Sequence, residues 1–177
     1  MSFLTSMSRR SPWLALALVA AIAVLYLSGV AWANHRDLIP SYERTRPGAV
    51  VTVGEESYRL VALHSTREIG SNDGGFPDEA EDGTRFVIAE LEYTARGTLE
   101  KPRCELPLIV EGLSFEPQLV LADRDLPNDC AGAIPGRPWR FELAYQVPDR
   151  YADVWGVGVD VDPEIPGGRP IQVLQPG

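Results

Sequence analysis

Residues 13–33 read WLALALVAAIAVLYLSGVAWA, 21 residues without a charge, 19 of them apolar. A helix of that length spans about 31 Å, the hydrocarbon thickness of a bilayer. Buried helices of soluble domains are rarely uncharged for so long, so the segment predicts one transmembrane helix. Trp13 and Trp32 stand near its ends, where an indole ring suits the membrane interface. Arg9 and Arg10 make residues 1–12 a basic flank. A cleaved signal peptide is the alternative, because Ala31-Trp32-Ala33 matches a small-x-small cleavage site. The apolar run, however, exceeds the ~7–15 residues usual in such peptides, which favours an uncleaved signal anchor. Arg36, Arg44 and Arg46 follow the span, so flanking basic residues balance and do not orient it. A short flank before a long domain leads to the N-terminus inside and residues 34–177 outside the membrane.

The net charge of -9 hides a segregation. Residues 34–177 carry 14 basic against 25 acidic residues, a net charge of -11. Such a surface excludes nucleic acid as a partner, since phosphate binding needs a basic footprint. The two cysteines, Cys104 and Cys130, both fall in this part. They predict one disulfide in an oxidising compartment, with a pair of buried free thiols as the alternative. No CxxC or histidine cluster accompanies them, which argues against zinc.

Residues 34–48 read as a stalk interrupted by Pro40, Pro47 and Gly48. From Ala49 the apolar period is two. Ala49 to Val53 is one short run. Tyr58, Leu60 and Ala62 define one face of the next strand. Val87, Ala89, Leu91 and Tyr93 define another within 84–95. Cys104, Leu106, Leu108 and Val110 share a face, and Leu119 to Leu121 is short. Trp139, Phe141, Leu143 and Tyr145 give the cleanest alternation. Trp155, Val157, Val159 and Val161 share a face, and residues 170–174 end the domain. About eight strands joined by glycine and proline turns predict an all-β fold, a sandwich or small barrel over residues 49–177. Residues 68–83 hold six acids and read as a long mobile surface loop.

Catalytic patterns are weak. Gly112-Leu113-Ser114-Phe115-Glu116 lacks the second glycine of a nucleophile elbow. Gly156-Val157-Gly158 lacks the third glycine of a dinucleotide fingerprint and reads as strand glycines at a close backbone approach. Lys101 is the sole lysine, and His35 and His64 are the sole histidines. The expectation is a non-enzyme without a cofactor. Calcium is the one ion with candidate ligands: Asp73, Asp78, Glu79, Glu81 and Asp82 in the acidic loop, Asp123, Asp125 and Asp129 beside Cys130, and a third cluster of Asp160, Asp162 and Glu164. Hard cations want several oxygens, yet none of these spacings matches an EF-hand.

Three stretches carry a resemblance. They are Val51-Thr52-Val53-Gly54, then Arg85 to Ala95 followed by Gly97 and Pro102, then Ile134-Pro135-Gly136 with Phe141 and Tyr145-Gln146-Val147-Pro148. Together they resemble the telokin-like, immunoglobulin-like domains of bacterial cell-surface proteins, many of unknown function, including a secreted immunoprotective antigen of mycobacteria. The resemblance implies an immunoglobulin-like antiparallel β-sandwich of about seven to nine strands, export, and residence at the cell surface. It implies no catalytic residue. The expected protein is a single-pass membrane protein whose extracytoplasmic domain binds another envelope protein. Release after Ala33 or a calcium-dependent adhesion module are the alternatives.

Overall fold

The computed structural model describes residues 11–38, 40–70, 77–97, 102–118, 124–161 and 169–177. The chain divides into two compact units, Met1–Pro40 and Ser41–Gly177. The first holds helix α1 (Ser11–Leu38), with Pro12 in its first turn, where the missing N–H costs nothing. Side chains are described over residues 16–30, fifteen residues, all exposed; Leu16, Ile22, Leu25 and Tyr26 are among them. Among the described residues no helix is long and apolar enough to cross a membrane.

The second unit is all-β. Its strands are β1 (Tyr42–Pro47), β2 (Val50–Val53), β3 (Glu56–Thr66), β4 (Glu68–Ile69), β5 (Asp78–Glu79) and β6 (Thr84–Ala95). Then follow β7 (Leu108–Val110), β8 (Leu113–Phe115), β9 (Trp139–Pro148), β10 (Val154–Val159) and β11 (Ile171–Gln175). One sheet has the order β2-β3-β6-β9 and the other β1-β11-β10-β7-β8, while β4 and β5 form a hairpin of their own. All pairings are antiparallel except β1 with β11. One core joins the two large sheets. Tyr58, Leu60, Val87, Leu91, Phe141 and Tyr145 meet Leu108, Val110, Val157, Val159 and Leu174 there. The alternation read from β6 and β9 is the one observed.

The stalk reading of residues 34–48 is corrected at both ends. Helix α1 continues to Leu38, and residues 42–47 are a sheet strand. The strand Tyr-Glu-Arg-Thr-Arg-Pro shows no apolar period because its support comes from the far end of the chain. It pairs with β11, and the Thr45 hydroxyl donates to the Val173 carbonyl at 3.0 Å.

Two bulges correct the expected faces. In β3 the register steps from Leu60↔Leu91 to Ala62↔Glu90, so Val61 is the extra residue. Side-chain parity then flips, and Leu63, opposite Ala89, packs on the core in place of Ala62. In β10 the register shifts between Val154 and Gly156. Val154 packs on the core, and Trp155 stands outside the facial set of Val157 and Val159. Gly156 makes this possible: its φ is 138°, and a Cβ there would collide with the Leu174 carbonyl oxygen. Gly158 is tight as well, with Ile109 and Ile171 side chains 3.1 Å from the Cβ position. Both observations agree with strand glycines at a close approach. Cys104 and Leu106 precede β7 outside any strand, and Leu119 to Leu121 lie outside the described residues.

The acidic stretch 68–83 is pinned at its start. Ile69 is buried against Phe86, Ile88 and Ala144 on the outer face of the four-stranded sheet. A second small apolar cluster therefore holds a segment whose composition reads as loop.

Candidate functional site

The candidate calcium ligands are spread along the chain. Asp78 and Glu79 stand on β5, opposite Ile69 and Glu68. The Asp129 carboxylate accepts the Ala131 N–H at 3.0 Å, and its carbonyl accepts the Trp139 indole N–H at 3.0 Å. Asp125 stands four residues before it, and Asp73 and Asp123 lie outside the described residues. Among the described residues no group of three or more His, Cys, Asp or Glu side chains could hold a metal ion. His64 is exposed on β3, opposite Ile88.

Cys104 and Cys130 are joined, with Cα atoms 5.5 Å apart. A polar cluster beside them fixes the crossing from β6 to β7. Glu56 is the buried carboxylate of the interior. It accepts the Tyr93 hydroxyl and the Arg103 N–H, each at 3.0 Å. Tyr58 donates to the Arg103 carbonyl at 3.0 Å, and Tyr145 donates to the Leu106 carbonyl at 2.7 Å. Burial raises the hydroxyl pKa of all three tyrosines, and Glu56 raises Tyr58 and Tyr93 further. These groups are committed to holding the chain, each with its partner.

Two segments, 116–118 and 124–130, form a strap against the edge of β9. Gln118 N–H donates to the Ala144 carbonyl at 2.8 Å, and Glu142 N–H donates to the Pro127 carbonyl at 2.8 Å. Arg124 grips Glu142 through two nitrogens at 2.5 and 3.2 Å, and this contact raises the guanidinium pKa. A groove of about 1250 Å³ runs past the strap, with Tyr58, Ile88, Leu126 and Val159 in its wall. Its two arginines, Arg103 and Arg124, are both turned to carboxylates of the body. Residues 98–101, 119–123 and 162–168 adjoin its lining in sequence and lie outside the described residues.

The most organised surface lies at the end of the sandwich where β7 turns into β8 and β9 leads to β10. Glu111 and Gly112 make a two-residue hairpin turn with φ of 51° and 80°. A positive φ is unfavourable for glutamate, and here the side chain works. Its carboxylate accepts the N–H groups of Ala152 at 2.9 Å and Asp153 at 3.3 Å. The 149–153 connection is thereby tied to the turn. Asp153 in turn accepts Arg44 at 3.1 Å and the Trp155 indole N–H at 2.8 Å. The Arg44 guanidinium lies 4.4 Å over the Trp155 ring, and Tyr42 meets that ring edge-on at 6.2 Å. Burial raises the Tyr42 hydroxyl pKa. A second stack stands beside it: Arg150 lies 4.8 Å over Tyr151, whose ring meets Phe115 at 5.9 Å.

The period of two puts Trp155 on the face of Val157 and Val159, and it gives no sign of Glu111, Arg150 or Tyr151. The glycine directly after Trp155 was the available signal, since glycine inside a strand marks bulges. The other three carry no local signal, because the turn and the loop meet only in the tertiary structure.

No protein-family model matches the chain, and no curated protein matches it. Among solved structures, a conserved hypothetical protein from Bacillus anthracis is similar, with a TM-score of 0.42 and 12% identity. The match covers 58% of this chain and 79% of that one.

Proposed function

We propose that the chain is a single-pass envelope protein, anchored by residues 13–33, whose immunoglobulin-like β-sandwich outside the membrane is a non-enzymatic binding or accessory domain. The carrying observation is the Cys104–Cys130 pairing, a bond that belongs to oxidising compartments beyond the cytoplasm. The uncharged sequence of residues 13–33 and the helical backbone of α1 support the anchor. The strand order supports the immunoglobulin-like topology: the chain passes between the two large sheets from β1 to β2, from β6 to β7, from β8 to β9 and from β9 to β10. The stretches that resemble telokin-like domains fall on β2, β6 and β9 and the turns beside them. The domain's role is to hold another envelope protein near the bilayer, through its loops or a sheet edge.

Alkaline extraction of membranes, with mass spectrometry of the mature N-terminus, tests the anchor. Retention in the pellet with residues 1–33 intact is the expected result. A mature chain starting at Asn34 and found in the medium would replace the anchored reading by the secreted one. Crosslinking in intact cells tests the accessory role, with one recurrent envelope partner expected.

A further inference from the structure

β1 lies at an edge of the five-stranded sheet, joined to β11 alone among the described strands. None of its six side chains is buried, and none belongs to the core. Its hold on β11 is a backbone pairing whose register breaks between Arg44 and Pro47, together with polar surface contacts. The Gln172 amide donates to the Glu43 carboxylate at 2.9 Å, and the Thr45 hydroxyl donates to the Val173 carbonyl. Arg44 reaches Asp153 and the Trp155 ring, and Tyr42 meets that ring edge-on. β11 is fixed independently: Val173 and Leu174 are buried and pair with Gly158 and Val157 of β10. Withdrawing β1 therefore empties no part of the core, yet it leaves the β11 edge unpaired. Only Gly48 and Ala49 connect β1 to β2, which belongs to the other sheet. They do so in a turn closed by the Ala49 N–H on the Arg46 carbonyl at 3.0 Å, with Gly48 at a φ of 69°.

We infer that β1 is an exchangeable strand and that its second partner is another copy of this chain. The hinge at Gly48 straightens, β1 leaves its own β11, and the β1 of the second copy takes its place. The structure itself specifies this occupant. The β11 edge, with Asp153 and Trp155 beside it, already accepts Tyr-Glu-Arg-Thr-Arg-Pro, and a second copy carries the same segment. Every contact of β1 is remade after exchange, so the balance between one copy and two is set by the hinge and by concentration. A short hinge favours the exchanged form, because extended chain replaces a tight turn. Reciprocity closes the assembly: each copy gives one β1 and receives one, which makes a two-fold dimer with no strand left over.

The inference is independent of the anchor, because a chain beginning at Asn34 keeps β1 and its hinge. Two differently tagged copies of the full chain are produced in the same cells, one with Glu43→Cys and the other with Gln172→Cys, the register partners across β1 and β11. Cys104 and Cys130 are already joined, so only the introduced thiols react with a short bismaleimide. A cross-linked pair of unlike tags is expected. Gly48→Pro, which cannot hold a φ of 69°, is expected to raise its yield about fivefold. Insertion of Gly-Ser-Gly after Gly48 lowers the yield, since a longer hinge lets β1 fold back on its own β11. Glu43→Cys mixed with Arg137→Cys, in a turn bonded to Ala95 of the other sheet, reports chance encounter and gives no such pair. The unaltered full chain in dodecyl maltoside covers the case of a variant that misfolds: sedimentation shows two copies per particle. Sedimentation as one copy at every concentration overturns the inference. So does cross-linking confined within single chains that carry both Glu43→Cys and Gln172→Cys, or an equal yield with Arg137→Cys. A mature N-terminus at Asn34 would overturn the anchor and leave the exchange result standing.

Discussion

Glu56 shows how one buried side chain fixes a chain crossing. Its carboxylate takes one hydroxyl from β6 and one N–H from the crossing that carries Cys104. Glu56→Leu orphans both donors, at about 1–3 kcal/mol each, and urea unfolding reads the loss. Glu56→Gln keeps one acceptor and recovers part of it. The buried tyrosines Tyr58, Tyr93 and Tyr145 set an alkaline limit. Their folded pKa values lie above the ordinary 10.0, so the folded state keeps protons that the unfolded chain releases. Their contribution is whole below about pH 10 and is lost as pH rises further. Stability is therefore expected to fall above that pH, with a shallower fall in Tyr93→Phe; a steepening there would contradict the linkage. At Gly156, alanine meets both an adverse φ and the Leu174 carbonyl. Gly156→Ala is expected to cost about 3 kcal/mol and to lower the melting temperature.

Among elements, the segments between β6 and β9 depend most on cross-links. They contain two three-residue strands, β7 and β8, and the long connection that follows. The Cys104–Cys130 bond closes a separation of 26 residues there. Its removal by Cys104→Ser with Cys130→Ser is expected to cost roughly 3.5 kcal/mol in the chain-entropy model. The double variant compared with the oxidised chain in urea measures it, and equal midpoints would deny the bond a stabilising role. The strap across β9 also answers an edge problem. A ten-residue edge strand offers unpaired backbone groups, and Gln118 and Pro127 occupy two of them.

For the whole molecule, the division between an uncharged segment and an acidic β unit governs behaviour. Deleting residues 1–33 is expected to move the chain from the membrane pellet to the soluble fraction after alkaline extraction. A deletion product that still pellets would show that another surface binds the membrane.

Much of this architecture was legible in residue order. The 21-residue run, the period of two in β6 and β9, and the strand glycines at 156 and 158 were all readable, because helix length, pleat and steric clearance are local properties. The cysteine pair was readable as a possibility, and its joining depends on where the crossing brings residue 104. The remainder came from contacts between distant residues. β1 is a strand because β11 lies beside it, Leu63 is inside because Val61 bulges, and Ile69 is buried because a second cluster exists on an outer face. The cluster around Glu111 required the most tertiary information. Glu111, Arg150 and Trp155 belong to three separate segments, and only the packing of the turn against the loop makes them one surface. Sequence by itself determined the segregation of charge and the period of the strands, which act over a few residues. Tertiary structure decided faces, edges and the site, because a bulge or a distant partner reverses parity without altering local composition.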